Sequence, residues 1–235
     1  MCSTFKEPML RTTASILLIL TILTMVAVCQ ETVFNVPSGD ILNKGKVYAE
    51  LDSTFHASPF LFTTEPRLVF GAGHNIELGV NILNIQSPGP SQAIISPTIK
   101  WRLWSKKEWS FIAGDNIIIP AQKKTYGIGN YAYASLFYTW KRGTRIGAGA
   151  YHFSPNVVAP RQRAGGQFTF EQPLNSWVTV AADWFTGAHA SGYFTPGAFF
   201  KITKQLTLFT SYEIGNKNVT KGNHQFELEL GWNFN

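Results

Sequence analysis

Cysteine is almost missing from this chain. Of its 235 residues only Cys2 and Cys29 are cysteines, and both lie in or at the edge of an N-terminal apolar stretch. A mature chain beginning at Gln30 would carry none, which excludes a disulfide framework, thiolate metal sites and cysteine nucleophiles. Long hydrophobic runs are scarce as well. The only one, Ile16 to Val28, is shorter than the roughly 20 residues a helical membrane span needs. With mean hydropathy at −0.01 and no second apolar run, a bundle of membrane helices is excluded. Charge is sparse, at 14% of residues. Removing Lys6, Arg11 and Glu7 with the leader from 20 basic and 14 acidic residues leaves 18 and 13, a net of +5. That surplus is scattered and follows no nucleic-acid motif, so anionic lipid headgroups or anionic solutes are the expected partners, and nucleic acid is not. The five histidines show no metal-ligand spacing, and no cofactor or metal is expected.

The apolar stretch itself has a basic start, an apolar middle and small residues at Ala27 and Cys29. This is the layout of a secretory signal, and residues 1–29 are expected to be cleaved. Val26-Ala27-Val28-Cys29 lacks the Leu and Gly/Ala that precede a lipoprotein cysteine. Export follows, and with it the need for stability without covalent staples.

What the chain does have is alternation. In residues 224–234, Phe226, Leu228, Leu230, Trp232 and Phe234 fall on one face of a strand, and Gln225, Glu227, Glu229, Gly231 and Asn233 on the other. Two carboxylates in a layer buried on both sides would be costly, so the glutamate face must meet water or polar partners. The same pattern predicts twelve strands, near 46–55, 64–73, 76–84, 93–103, 109–119, 130–141, 144–153, 163–171, 177–186, 192–202, 205–214 and 224–234. Those at 109–119 and 130–141 alternate poorly. Links between strands are alternately short and long, beginning with the long stretch His56 to Thr63 and the tight His74-Asn75. An up-and-down barrel requires this order, whereas a β-sandwich has no reason for it. The expected fold is all-β: an antiparallel transmembrane β-barrel over 46–235, preceded by a periplasmic segment over 30–45. Trp101, Trp104, Trp109, Trp140 and Trp177 cluster near the short turns, where a ring at headgroup level can be half apolar and half wet.

The closing strand resembles that of bacterial outer-membrane barrels, which end the chain on an aromatic residue; here Asn235 follows Phe234. That resemblance implies an outer-membrane location and delivery of the C-terminal strand to the barrel-assembly machinery. Ser211-Tyr212-Glu213-Ile214-Gly215-Asn216, Gly222-Asn223-His224, the closing Leu228 to Phe234, and Gly114 to Pro120 are similar to outer-membrane transporters of the phenol-degradation meta-pathway type. The similarity spans about half the chain and implies passive passage of small solutes, hydrophobic compounds included. It carries over no site residue.

Two sets of residues are candidates for function. If the last strand pairs with the first, Glu227 and Glu229 lie near Glu50 and Asp52, with Glu213 on the neighbouring strand. Arg67, Lys100 and Arg102 are then expected across the lumen, giving an acidic wall facing a basic one, as pores use for selection. The loops at 85–92, 120–129 and 154–162 are expected to gate such a lumen. The alternative is enzymatic. His152 and Ser154 are two apart on one strand face and Asn156 follows, which resembles the His-x-Ser-Asn motif of outer-membrane phospholipases and lipid A deacylases, but with Pro155 intervening. There His152 would be the base, Ser154 the nucleophile and Asn156 the orienting group. A closed structural barrel is the third possibility. Oligomeric state is not legible in the sequence.

Overall fold

A computed structural model describes residues 30–57, 60–87, 92–121, 127–157, 162–216 and 224–234. The signal segment, both cysteines and the centres of the three expected gating loops lie outside the described residues.

The strands are β1 (Val47–Ala57), β2 (Phe60–Gly73), β3 (Ile76–Leu83), β4 (Ile85–Ser87), β5 (Ile94–Lys106), β6 (Trp109–Pro120), β7 (Gly129–Thr139), β8 (Arg145–Phe153), β9 (Ala164–Pro173), β10 (Val178–Phe185), β11 (Tyr193–Lys201), β12 (Leu206–Gly215) and β13 (Gln225–Phe234). All pairings are antiparallel and join neighbours in chain order except around β4, which pairs with β2 while β3 pairs with β5; β1 pairs with both β2 and β13, so the sheet closes on itself. A closed barrel leaves no unpaired edge, which suits a chain without disulfides. The ring has twelve positions, because β3 and β4 are one strand interrupted at Asn84, whose φ is 60°. Beyond that break β4 continues alongside β2, pairing Ile85, Gln86 and Ser87 with Thr64, Thr63 and Phe62.

Hairpin chemistry explains the tight ends. His74 and Asn75 both adopt positive φ, 53° and 60°, the geometry of a two-residue turn matched to the twist of its strands. Lys107 and Gly143 supply the positive φ at two other short turns. Outward positions form an exposed apolar belt that includes Leu78, Val80, Ile82, Ile95 and Ile99. Among the described residues no helix is long and apolar enough to cross a membrane. Trp101, Trp104, Trp109, Trp140, Trp177 and Trp232 are all exposed toward the short-turn end, and Trp184 lies nearer the other end.

The poor alternation of two strands has a physical reason. On β7 the large residues face inward: Tyr131, Tyr133 and Phe137 are buried, while Ala132 and Ala134 lie on the outer face. They join Ile112 and Ile118 of β6, Tyr151 and Phe153 of β8 and Phe185 of β10 in an aromatic cluster within the barrel. One sector of the lumen is therefore a hydrophobic core, and the strands lining it are apolar on both faces.

Candidate functional site

The lumen is occupied by the chain's own N-terminal segment. From Gln30 to Leu42 the segment expected in the periplasm is buried or half-buried inside the barrel, with Val33, Phe34 and Val36 buried as deeply as any core residue, while Asn43 to Lys46 are exposed. The segment folds back on itself: Val33 N–H donates to the carbonyl of Val36 at 2.8 Å, and Thr32 bridges to Pro37. A segment as apolar as Val33-Phe34-Asn35-Val36 gains more by entering a half-apolar lumen than by trailing in water. Phe34 meets Phe199 edge-on at 5.3 Å, and Val36 joins the aromatic cluster.

Polar contacts fix the register of this inner hairpin. At its tip, one carboxylate oxygen of Asp183 (Oδ2) accepts the backbone N–H groups of Phe34, Asn35 and Val36 at 3.0, 2.7 and 2.8 Å. Three successive amides converging on one anion make a backbone nest. The Asn35 amide donates to Thr195 Oγ1 at 3.1 Å and Glu213 Oε1 at 2.8 Å. Lower down, Lys100 Nζ donates to the Glu31 carbonyl at 3.0 Å and pairs with Glu77 at 2.7 Å. Arg102 reaches the Gly39 carbonyl at 2.9 Å, and Arg67 reaches Thr32 Oγ1 at 2.9 Å. At the stem, Arg145 binds both oxygens of Asp40, at 2.7 and 3.0 Å, and both of Glu171, at 2.8 Å each. Burial pushes the Asp40 carboxyl up, but the charge and hydrogen bonds of Arg145, aided by Lys100 and Arg102, outweigh it and hold the group below its ordinary value. Leu42 N–H donates to Glu77 Oε2 at 2.9 Å. Close approach at Gly71 completes the fit, since a Cβ there would sit 2.0 Å from the Asn43 carbonyl oxygen.

Glu50, Asp52, Lys100, Glu213, Glu227 and Glu229 are buried, and Arg67 and Arg102 are partly so. Their arrangement differs from two opposed walls. Arg67 sits directly beside Glu50 in register and contacts Asp52 at 2.5 Å, so it belongs to the acidic wall. Lys100 is neutralised by Glu77 one strand away. The reason is geometric: β1 and β2 are neighbours, and paired inward positions on adjacent strands come within reach of each other before either sees across the lumen.

Above the hairpin tip, a cavity of about 540 Å³ opens toward the long-loop end, with Asn35 in its floor. Asp52, Glu65, Glu213 and Glu227 line it with Arg67, and Ile94, Ile118 and Phe153 form apolar parts of its wall. Behind the Phe153 wall of the cavity, His189 stacks edge-on against Phe153 and Phe185, and its Nε2 lies 2.7 Å from the Tyr151 hydroxyl. Burial lowers the His189 pKa, opposed by a hydrogen bond to the Thr186 backbone.

The alternative set is not drawn together. His152 projects from the exposed outer face of β8. The Ser154 hydroxyl accepts the Asn130 backbone N–H at 2.9 Å, and the Asn156 amide donates to the Ile128 carbonyl at 3.0 Å. These are the bonds of a strand end entering a turn. Sequence reasoning missed Asp40, Arg145, Glu171 and Asp183. An acid at an inward position of the otherwise apolar strand Val178–Phe185 was the available signal for the last of them.

No protein-family model matches the chain, and no curated protein matches it. Solved structures do. The NanC porin superposes with a TM-score of 0.57 at 10% identity, over 80% of this chain and 99% of that one. An outer membrane channel from Pseudomonas putida F1 gives 0.55 at 12% identity, over 84% and 98%. Outer membrane phospholipase A from Escherichia coli gives 0.48 at 14% identity, over 81% and 90%. The first two establish the fold as that of an outer-membrane β-barrel.

Proposed function

We propose that this chain is an outer-membrane channel for passive passage of small solutes, with residues 30–42 as a plug within its lumen. The observation that carries the reading is the cavity above Asn35: a polar, charge-lined space inside a closed barrel whose outer surface is an apolar belt. Such a wall, lipid on one side and polar on the other, has no use in a soluble protein. Four carboxylates against one guanidinium in that cavity favour cationic solutes, and its apolar patches accommodate a hydrocarbon or aromatic body. Transfer needs no covalent step and no cofactor. Because the hairpin forms the floor of the cavity, passage requires the plug to shift or leave.

The deciding experiment compares single-channel conductance of the refolded chain beginning at residue 30 with that of a chain lacking residues 30–40. Small or infrequent steps in the first and larger, more frequent steps in the second are expected. Equal conductance in both would refute the plug. Silence in both, with the barrel shown folded by heat-dependent gel mobility, would refute the channel.

A further inference from the structure

The seam where the barrel closes carries three carboxylates that the interior leaves without sufficient partners. Glu50 and Asp52 lie two apart on β1, hence on one face, and Asp52 stands in register opposite Glu229 of β13. One oxygen from each lies within 4.8 Å of the others. The three residues are 3%, 2% and 0% exposed. Among the described residues neither oxygen of Glu229 has a hydrogen-bond or ion-pair partner, nor does Asp52 Oδ1, while Asp52 Oδ2 and Glu50 Oε1 meet only the Arg67 guanidinium. The remaining Glu50 oxygen accepts the Tyr48 hydroxyl. Buried acids elsewhere in the barrel are provided for. Glu77 has Lys100 and Leu42 N–H, Glu213 has Asn35 and Gln225, and Glu227 has Ser211 Oγ at 2.5 Å. Single unpartnered oxygens occur elsewhere, on Glu31 and Asp183, but each of those carboxylates has its other oxygen bonded, whereas neither oxygen of Glu229 has a partner.

Burying ionised carboxylates without pairing is costly. The guanidinium of Arg67 contacts Asp52 at 2.5 Å and Glu50 at 3.5 Å. Three carboxylates against this one cation leave two negative charges. We infer that Glu50, Asp52 and Glu229 form a binding site for one divalent cation that bridges the first and last strands. Oxygens placed on a sphere of Ca²⁺–O radius, about 2.4 Å, are at most about 4.8 Å apart, which the cluster satisfies. Ca²⁺ fits better than Mg²⁺. The ligands are fixed by strand register rather than set at octahedral angles, and Ca²⁺ tolerates irregular coordination completed by water. Asp52 lines the cavity that opens toward the long-loop end, which gives the ion and its waters a path. The site stands independently of the channel reading, since its role is to lock the closing seam.

The test uses the refolded chain beginning at residue 30 in detergent micelles, stripped of metal with EDTA and titrated calorimetrically with Ca²⁺. One Ca²⁺ per chain is expected, together with a higher thermal unfolding midpoint in Ca²⁺ than in EDTA. Asp52→Asn and Glu229→Gln should each weaken binding roughly tenfold or more, because affinity follows ligand charge, and should abolish the Ca²⁺-dependent rise. Both substitutions relieve repulsion in the metal-free seam, so the barrel should still form, as gel mobility would report. Glu213→Gln, in the same wall but outside the cluster, should keep full binding. Absence of saturable Ca²⁺ binding, or binding unaltered by Glu229→Gln, would overturn the site.

Discussion

Arg145 at the start of β8 grips Asp40 of the inner hairpin with two hydrogen bonds, at 2.7 and 3.0 Å, while the same guanidinium holds Glu171. One cation thereby ties the plug to the wall at its stem. The folded pKa of Asp40 lies below its ordinary value. The tether therefore contributes fully above the ordinary carboxylate range and is lost as pH falls through the folded value. Channel openings should become more frequent on strong acidification. Asp40→Asn should reproduce much of that effect at neutral pH, weakening plug docking by about 2 kcal/mol for the lost charged hydrogen bonds. Openings that respond to acid identically in the Asn variant would place the acid sensitivity elsewhere.

At the tip the corresponding anchor is Asp183. Asp183→Ala removes the acceptor for three buried amides and should release Phe34 to Val36. Hydrogen exchange of a peptide spanning residues 30–40 is expected to accelerate by roughly tenfold or more, in line with the cost of stranded buried donors. Asp183→Asn, which keeps an oxygen acceptor but not its charge, should fall between. Exchange unchanged in the Ala variant would mean that apolar contacts alone hold the tip.

His189 supplies a second pH response, at the opposite end of the barrel. Its Nδ1 accepts the Ser191 N–H at 3.3 Å, so Nε2 carries the proton toward the Tyr151 oxygen. Protonating Nδ1 would set two donors against each other. With its folded pKa lowered by burial, the histidine loses stability for its loop as pH falls through the ordinary histidine range, about 6.5, and toward the folded value. Exchange in residues 186–192 should rise over that interval in the native chain. In His189→Phe it should be flat; a pH dependence that persists there would exonerate the histidine.

Selectivity offers a further check on the cavity. Glu65→Gln and Glu227→Gln, singly and together, should lower the cation-to-anion permeability ratio stepwise, while Lys201→Gln on the barrel's short-turn side should not. Each change removes one charge from a low-dielectric wall near the solute path. A ratio unmoved by the double variant would take these carboxylates out of that path.

Strand order, closure and the outward face were legible in the residues themselves. Side-chain alternation has a period of two, so Leu78, Val80 and Ile82 against Glu77, Gly79 and Asn81 identify a half-lipid, half-polar strand within eight residues. Tight turns such as His74-Asn75 carry local backbone signals of the same kind. The inward direction of Glu50, Asp52, Glu227 and Glu229 follows from that period. The interruption at Asn84 and the inverted face of β7 did not, since the first rests on one residue's φ and the second on what fills the lumen beside it.

The plug was decided only by the tertiary structure. Phe34, Asn35 and Val36 meet an acceptor about 150 residues away in the chain, and Asp40 meets an arginine 105 residues on. Such contacts leave no periodic trace, because neither partner's immediate neighbours constrain it. Pairing of Arg67 with Asp52 rather than with a charge across the lumen likewise depends on register between β1 and β2. By itself, the sequence determined which side of each strand meets lipid, because that is a local property of alternating side chains. What occupies the other side was settled by closure, which brings residues from the whole chain into one small volume.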